Sequence, residues 1–473
     1  MRRTLQRAAR RRTRAAPAAL TTLTKLTTLI TLATLGAVAL PAAPARLSAQ
    51  APDSAQPISL AEAVRLAQRN APAMVQTRGQ ERVSRAGVTS AYAAFLPTVS
   101  VSMGGVRQFS GDGARTRFNP QTGATEVIPA EPWTYSNGLS LSVDLFDGGR
   151  RLYDIGTARA NVGASEAAEV AQRFAVSLDV QQQYYAVLAA HESEAAARAQ
   201  LAEAQQELRA ATGRLAAGAG TTSDSLRSVI LVGNARLALL TAQTNLRDAN
   251  AALTRLTASP TPVTALPGDT LDTPPAAVPL DSATLTQFAE RGPAVRQAKA
   301  EVTAARAGVR SARAPYLPTV SAGYSRGGSG FDPRFGFGDD PFNYQGSLRL
   351  SLSYPLFNQF AREEGVVRAR VAEDNAEAQL RDARLAARQQ VVQALGALRT
   401  AQQQVEIQRA SVTAAEEDLR VQRQRYEVGA STLLDQLTSQ TQLTQARAQL
   451  IQARYTARVA RAQLEATVGR ELP

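Results

Sequence analysis

The 473-residue chain has no cysteine, one histidine, one tryptophan and three methionines. The missing cysteines exclude a disulfide framework, a thiolate metal site and a lipid-attachment cysteine behind an export signal. The lone histidine, His191, lies in the alanine-rich stretch YYAVLAAHESEAAA, so no histidine cluster is available for a metal or an acid–base pair. No nucleophile motif or phosphate loop is present either, and GGSG at 327–330 reads as a turn in a hairpin loop. No enzyme is expected, and no catalytic, cofactor-binding or metal residue is assigned. Long apolar runs are scarce as well. Beyond residue 49 no stretch of about 18 apolar residues occurs, so a membrane location requires a closed β-barrel and not a spanning helix.

The formal net charge of +13 would suit nucleic acid or an anionic membrane. Its distribution removes that suggestion. Residues 1–49 hold nine basic residues, Arg2, Arg3, Arg7, Arg10, Arg11, Arg12, Arg14, Lys25 and Arg46, and no acidic one. From Gln50 onward, 44 basic residues face 40 acidic ones, which leaves no electrostatic case for nucleic acid. The basic stretch precedes an apolar run from Leu29 to Leu40 and a small-residue region, the order of a secretory signal. Residues 1–49 are expected to be a signal peptide cut after Ala49, with Ala45 as the alternative.

The remainder is a duplication. PAMVQTRGQERVSRAGVTSAYAAFLPTVS (72–100) matches PAVRQAKAEVTAARAGVRSARAPYLPTVS (293–321) without a gap, at an offset of 221. Further on, Leu145-Phe146 answers Leu356-Phe357, Gly218 answers Gly429, and Asp224 answers Asp435, all at an offset of 211. The first repeat is expected over 50–279 and the second over 280–473. A Pro-rich stretch from Ser259 to Pro279 joins them and reads as an irregular linker without a packed core.

Within each repeat the apolar period switches from 2 to 3.5. In FNYQGSLRLSLSY (342–354), Phe342, Tyr344, Leu348, Leu350, Leu352 and Tyr354 share one face while Asn343, Gln345, Ser347, Arg349, Ser351 and Ser353 share the other. The first repeat sets Trp133, Tyr135, Leu139, Leu141, Val143 and Leu145 against Ser136, Ser140, Ser142 and Asp144. Val99, Val101 and Met103, and Val320, Ala322 and Tyr324, alternate after each LPTVS. Four strands in two hairpins follow, with loops at roughly 108–132 and 326–341. Apolar on one face, polar on the other and aromatic toward an end, they fit an outer-membrane barrel.

The rest reads as helix. Val232, Ala235, Leu239, Ala242, Leu246, Ala249, Leu253 and Leu256 step by three and four, as do Leu443, Ala446, Leu450, Ala453, Ala457, Ala460 and Leu464. That is a coiled-coil rhythm. Leu152 to Ala216 and Arg362 to Tyr426 contain no proline, so each repeat gains a helix of about 65 residues, near 100 Å long. A turn at Gly218 or Gly429 and a returning helix complete each hairpin.

These features together resemble the outer membrane efflux protein family of TolC-like channels. The carriers are ISLAEAVRLAQRNAP (58–72), the duplicated LPTVS, SVDLFDGGR (142–150) answered by SYPLFNQ (353–359), and RYEVGASTLLDQLTSQTQLTQARAQLIQARY (425–455). The fold class that follows is mainly α with a transmembrane β part. A duplicated repeat builds a helical barrel, and four strands per chain contribute to a 12-stranded barrel in a homotrimer. Four strands are too few to close a barrel, whereas three chains remove every open edge. The resemblance implies a passive duct in the outer membrane with its helical part in the periplasm. A periplasmic adaptor and an inner-membrane pump or transporter ATPase serve it, and outer-membrane lipid surrounds it.

The resemblance also places a gate at the hairpin tips, RLAAGAGTTSDSL (214–226) and RYEVGASTLLDQL (425–437). Asp224, Asp435 and Tyr426 match the gate positions, and Arg214, Leu215, Gly218, Arg425 and Gly429 the adaptor-contact tips. Asp224 and Asp435 also suit helix capping, and both roles stay open. Ser431 stands where a gating arginine is found in TolC, and Thr438 where a second aspartate is found, so the closing network is expected to differ. Two rival readings are a periplasmic adaptor and a structural coiled-coil protein. Neither has a use for lipid-facing strands.

Overall fold

A computed structural model of the chain describes residues 55–107, 116–119, 123–127, 133–272, 281–332 and 343–472. The expected signal peptide, most of the 108–132 loop, residues 333–341 of the second loop and the end of the linker lie outside these. The first repeat runs β1 (Gln56–Ile58), α1 (Leu60–Asn70), α2 (Pro72–Ala93), β2 (Thr98–Val106), β3 (Thr116–Asn119), β4 (Ala124–Val127), β5 (Trp133–Asp147), α3 (Arg150–Ala216) and α4 (Thr222–Thr257). After β6 (Val263–Ala265), the second runs α5 (Ser282–Ala289), α6 (Pro293–Ala312), β7 (Thr319–Asp332), β8 (Asn343–Ser353), α7 (Ala361–Glu427) and α8 (Leu433–Val468). α3 and α7 each hold 67 residues, and α4 and α8 each hold 36.

The coiled-coil seams are where the heptad rhythm puts them. Leu443, Ala446, Leu450, Ala453, Ala457, Ala460 and Leu464 are all buried on α8, and Ala235, Ala242 and Leu253 on α4. Alanine in so many seam positions lets the axes approach closely. α4 packs on α3, whereas α8 packs on both α7 and α3. α4 is also long and apolar enough, by length and composition alone, to cross a membrane. A search for continuous apolar runs misses this, because its apolar residues are spaced along two faces of a hairpin arm.

Matching stacks pin both strand-to-helix corners. The Arg151 guanidinium lies 4.6 Å from the Phe95 ring centre, and Arg362 lies 5.0 Å from that of Tyr316. The corners differ in backbone. Gly148 and Gly149 take φ of +70° and +80° in the first repeat, while Gln359 and Phe360 take +57° and +63° in the second. The second corner therefore holds two non-glycine residues in the left-handed region.

Four expectations are corrected. First, the linker is not irregular throughout. β6 pairs in parallel with β1, Gln56 opposite Val263 and Ile58 opposite Ala265, and Val263, Ala265 and Leu271 are buried. The Tyr184 hydroxyl donates to Asp269 at 2.5 Å, and Asp272 pairs with Arg454 at 2.7 Å, so side chains of α3 and α8 clamp the linker. A three-residue strand leaves no periodic trace in the sequence, and its partner is some 200 residues away. Second, β7 continues to Asp332, so residues 326–332 are strand and GGSG is not a turn. Third, the 108–132 loop contains the β3–β4 hairpin. Fourth, a β-bulge between Asp144 and Phe146 takes Leu145 out of the ladder, and Phe146 takes its place opposite Val320. One inserted residue switches faces, as bulges do.

Candidate functional site: an open-edged sheet and two paired hairpin tips

The four long strands form one antiparallel sheet in the order β2-β5-β7-β8. The central pair joins the two repeats, Leu139 opposite Arg326 and Leu141 opposite Tyr324. Register sorts the side chains. Thr98, Ser100, Ser140, Ser142, Ser325, Ser347 and Ser351 share one face, where Thr98 bonds Ser142 at 2.7 Å and Ser100 bonds Ser140 at 2.6 Å. Val99, Val101, Met103, Leu139, Leu348, Leu350 and Leu352 share the other and are exposed. A sheet with an apolar face in water would be unstable; the same face against lipid is satisfied. β2 and β8 each have one unpaired edge within a single chain.

The helices repeat that incompleteness. Opposite its buried seam, α4 carries a second one: Leu226, Ile230, Leu237 and Leu240, spaced by four, seven and three and all exposed. On the far side of the chain, α7 exposes Val392, Ile407 and Val421, and Val428 follows just past its end. One flank thus ends in β2 and α4 and the other in β8 and α7, and each needs a neighbour.

The tips are built twice from the same parts. α3 ends in a Schellman turn: Gly218 N–H donates to Leu215 O at 3.0 Å, Ala219 N–H to Arg214 O at 2.9 Å, and Gly218 takes φ +72°. α7 ends alike, with Gly429 N–H on Tyr426 O at 3.1 Å, Ala430 N–H on Arg425 O at 2.7 Å, and φ +74° at Gly429. Glycine stands at the one position in each turn where a Cβ would be strained. The returning helices are capped by threonine. Asp224 N–H donates to Thr221 Oγ1 at 3.2 Å, and Thr221 Oγ1–H donates back to Asp224 Oδ2 at 2.7 Å. Thr432 and Asp435 form a full capping box, with Thr432 N–H on Asp435 Oδ2 at 2.9 Å. These hydrogen bonds, foremost the backbone N–H of Thr432, hold the Asp435 carboxyl below its usual range, and Arg425 adds to the effect. Both aspartates are thus the third residues of caps, held by their own turns.

Of the sequence-assigned tip residues, the structure brings Arg214 and Tyr426 together. The guanidinium lies 4.7 Å from the ring centre and joins the end of the first hairpin to that of the second. Arg425 donates to Ala430 O at 3.3 Å, Ser431 donates back to Gln422 O at 3.3 Å, and Thr438 bonds Leu434 O within its own helix. Neither Ser431 nor Thr438 reaches across to the other hairpin by these bonds.

The larger link between hairpins was not assigned from the sequence. Gln436, Ser439 and Gln440 are buried on α8. Gln436 donates to Glu207 at 2.7 Å and Gln440 to Glu203 at 3.5 Å, both on α3, whereas Ser439 donates to Asp418 at 2.5 Å within the second hairpin. Glu203 also lies 3.8 Å from Arg423. Burial pushes the Glu207 carboxyl up, against the pull of Arg423 and Arg214. The signal was available: 436, 439, 443, 446 and 450 continue one seam, so these polar residues sit at core positions.

Residues 63–259 and 284–470 match the family model for outer membrane efflux protein. The chain belongs to the outer membrane efflux protein family. It is 30% identical to protein CyaE of Bordetella pertussis over 413 residues, 84% of this chain and 80% of that one. It is 27% identical to the pyoverdine export outer membrane protein OpmQ of Pseudomonas aeruginosa, over 82% and 79% of the two chains. Its fold matches a membrane protein from Pseudomonas aeruginosa (TM-score 0.69, 24% identity, 88% and 92% covered). It also matches the open state of the Neisseria gonorrhoeae MtrE outer membrane channel (TM-score 0.67, 21% identity, 87% and 89% covered). As a family member the protein is an outer-membrane channel with a periplasmic helical part. It acts as a homotrimer with a periplasmic adaptor and an inner-membrane pump. Three sheets give the 12 strands that leave no edge open. The adaptor and structural coiled-coil readings fall away.

Proposed function

We propose that the hairpin tips are the entrance of this duct, latched within each chain by the contact between the first hairpin and the second. The observation that carries this reading is the Arg214–Tyr426 stack beside the Glu207–Gln436 hydrogen bond. A groove of about 330 Å³ runs along this junction, lined among others by Glu203, Glu207, Arg423 and Leu433. A polar seam suits a latch, because water replaces its hydrogen bonds when the hairpins part, and an all-leucine seam has no such substitute. Asp224 and Asp435 shape the tips as cap residues. Repeated around a threefold axis, they also ring the mouth with carboxylates that favour cations. Arg214, Leu215, Gly218, Arg425 and Gly429 present the adaptor-docking surface. The chain carries out no chemistry of its own, and its cargo is set by the pump that feeds it.

Single-channel recording in a planar bilayer tests the latch. Tyr426→Ala with Gln436→Ala is expected to raise the open fraction and conductance severalfold, with trimer stability on heating little changed. Asp224→Asn with Asp435→Asn is expected to remove block by divalent cations added on the periplasmic side. A closed wild-type-like channel in the first variant would reject the latch, and unchanged block in the second would leave the aspartates as caps alone.

A further inference from the structure

The apolar face of the sheet carries a guanidinium and a neighbouring amide, Arg326 and Asn137, that a lipid-facing surface does not explain. Arg326 lies on β7 in the same alternation as Val320, Ala322 and Tyr324, opposite Gly346 of β8. It is exposed, and among the described residues no carboxylate pairs with it. Its guanidinium lies 5.3 Å from the ring centre of Tyr344. Asn137 of β5 donates to the Tyr344 hydroxyl at 3.3 Å. Gly328 makes room for this arrangement, since a Cβ there would come within 2.7 Å of both the Tyr344 ring and the Asn137 side chain. Trp133 and Tyr135 stack at the same end of β5, ring centres 6.3 Å apart.

The height of this cluster follows from strand geometry. Tyr344 and Tyr354 bracket the exposed row Leu348, Leu350 and Leu352. Ten residues of tilted strand span about 25 Å along the membrane normal, the height of the apolar band of an outer-membrane barrel. Tyr344 therefore marks the interface farther from the periplasmic helices, and Arg326 sits one alternation inside it. Its side chain folds toward the interface over the tyrosine ring, as a snorkelling cation does. A guanidinium at that level, with no carboxylate partner among the described residues, calls for an anion from the membrane itself. The outer leaflet offers phosphate on a glycolipid. A planar guanidinium forks onto phosphate, and the Asn137 amide and Tyr344 hydroxyl suit the sugar hydroxyls beside it.

We propose that Arg326, Tyr344 and Asn137 form a binding site for the phosphorylated sugar headgroup of an outer-leaflet glycolipid, one site per protomer. Three such sites would ring the outer rim of the barrel and anchor its depth. The site is independent of how the hairpin tips open.

Trp133, the chain's one tryptophan, lies in the same belt and can report binding. The purified trimer in detergent would be titrated with diphosphorylated lipid A, with its dephosphorylated form, and with inorganic phosphate, following tryptophan emission. The wild type is expected to show saturable binding of the diphosphorylated form alone. Arg326→Gln should weaken it about tenfold, the worth of one charge-assisted contact. Arg326→Lys keeps the charge without the planar fork and should fall between. It carries the test if the glutamine variant fails to trimerise. Equal binding of the dephosphorylated form, an equal response to inorganic phosphate, or wild-type affinity in both variants would overturn the proposal.

Discussion

The two hairpins of this chain have the same lengths, the same Schellman exits and the same threonine caps, yet they occupy different environments. α8 is enclosed between α7 and α3, and its seam is buried almost from end to end. α4 touches α3 on one side and presents Leu226, Ile230, Leu237 and Leu240 on the other. Duplication copied local structure faithfully, but the order of the chain made one returning helix, α8, internal and left the other, α4, at a flank. The flank kept an apolar seam and the interior acquired a polar one at Gln436, Ser439 and Gln440. The face that α4 leaves for a neighbouring protomer is thus apolar, and the contact proposed to open is hydrogen-bonded.

The largest expected effect breaks the flank. Ile230→Asp with Leu240→Asp would bury unpaired carboxylates in the trimer and cost at least about 3 kcal/mol. Loss of the trimer band on semi-native gels checks this. Thr441→Asp, at the exposed counterpart of Ile230 in the second hairpin, should change stability by no more than about 0.5 kcal/mol. A smaller effect tests the faces of the sheet. Leu350→Arg should cost about 2–4 kcal/mol near the bilayer midplane, whereas Ser351→Arg faces the lumen and should mainly alter conductance. Equal assembly defects would reverse the face assignment.

Next comes the latch. Glu207 binds its proton more tightly in the folded seam than in an unfolded chain, so its contribution is greatest below the ordinary carboxylate range. It falls as the pH rises through the raised folded value. Glu207→Gln should keep the acceptor for Gln436, tighten the seam at neutral pH and flatten the pH dependence of open probability between mildly acidic and neutral pH. The smallest effect lies at the corners. Phe360→Gly should relieve a left-handed strain of about 1 kcal/mol, partly offset by unfolded-state entropy, and raise the melting temperature slightly. The same logic predicts that Gly149→Phe lowers it.

Much of this architecture was legible because it rests on repetition. The alanine and leucine seams declared the helices, and the duplicated LPTVS declared the corners. What escaped was set by partners distant in sequence. Val263–Ala265 reads as linker until β1 lies beside it, and Gly327, Gly328 and Gly330 read as a turn because glycine usually marks one. In β7, Gly328 makes room for the Tyr344 ring and the Asn137 side chain on the neighbouring strands. At the tips, Gly218, Gly429 and the two aspartates were legible from local turn chemistry. The Arg214–Tyr426 stack was not, because it depends on how two hairpins 200 residues apart are laid together. Gln436 and Gln440 were overlooked because glutamine on a long helix ordinarily faces water.

The most direct test uses the absence of native cysteine. Leu240 of α4 and Ile407 of α7 lie at similar distances from their hairpin tips, on the two opposite flanks of the chain. With Leu240→Cys and Ile407→Cys in one chain, oxidation in intact outer membranes should produce a ladder that ends at three chains. Each single variant should produce none. No cross-link, or a ladder that stops at two or runs past three, would contradict closure of the duct by three copies flank to flank.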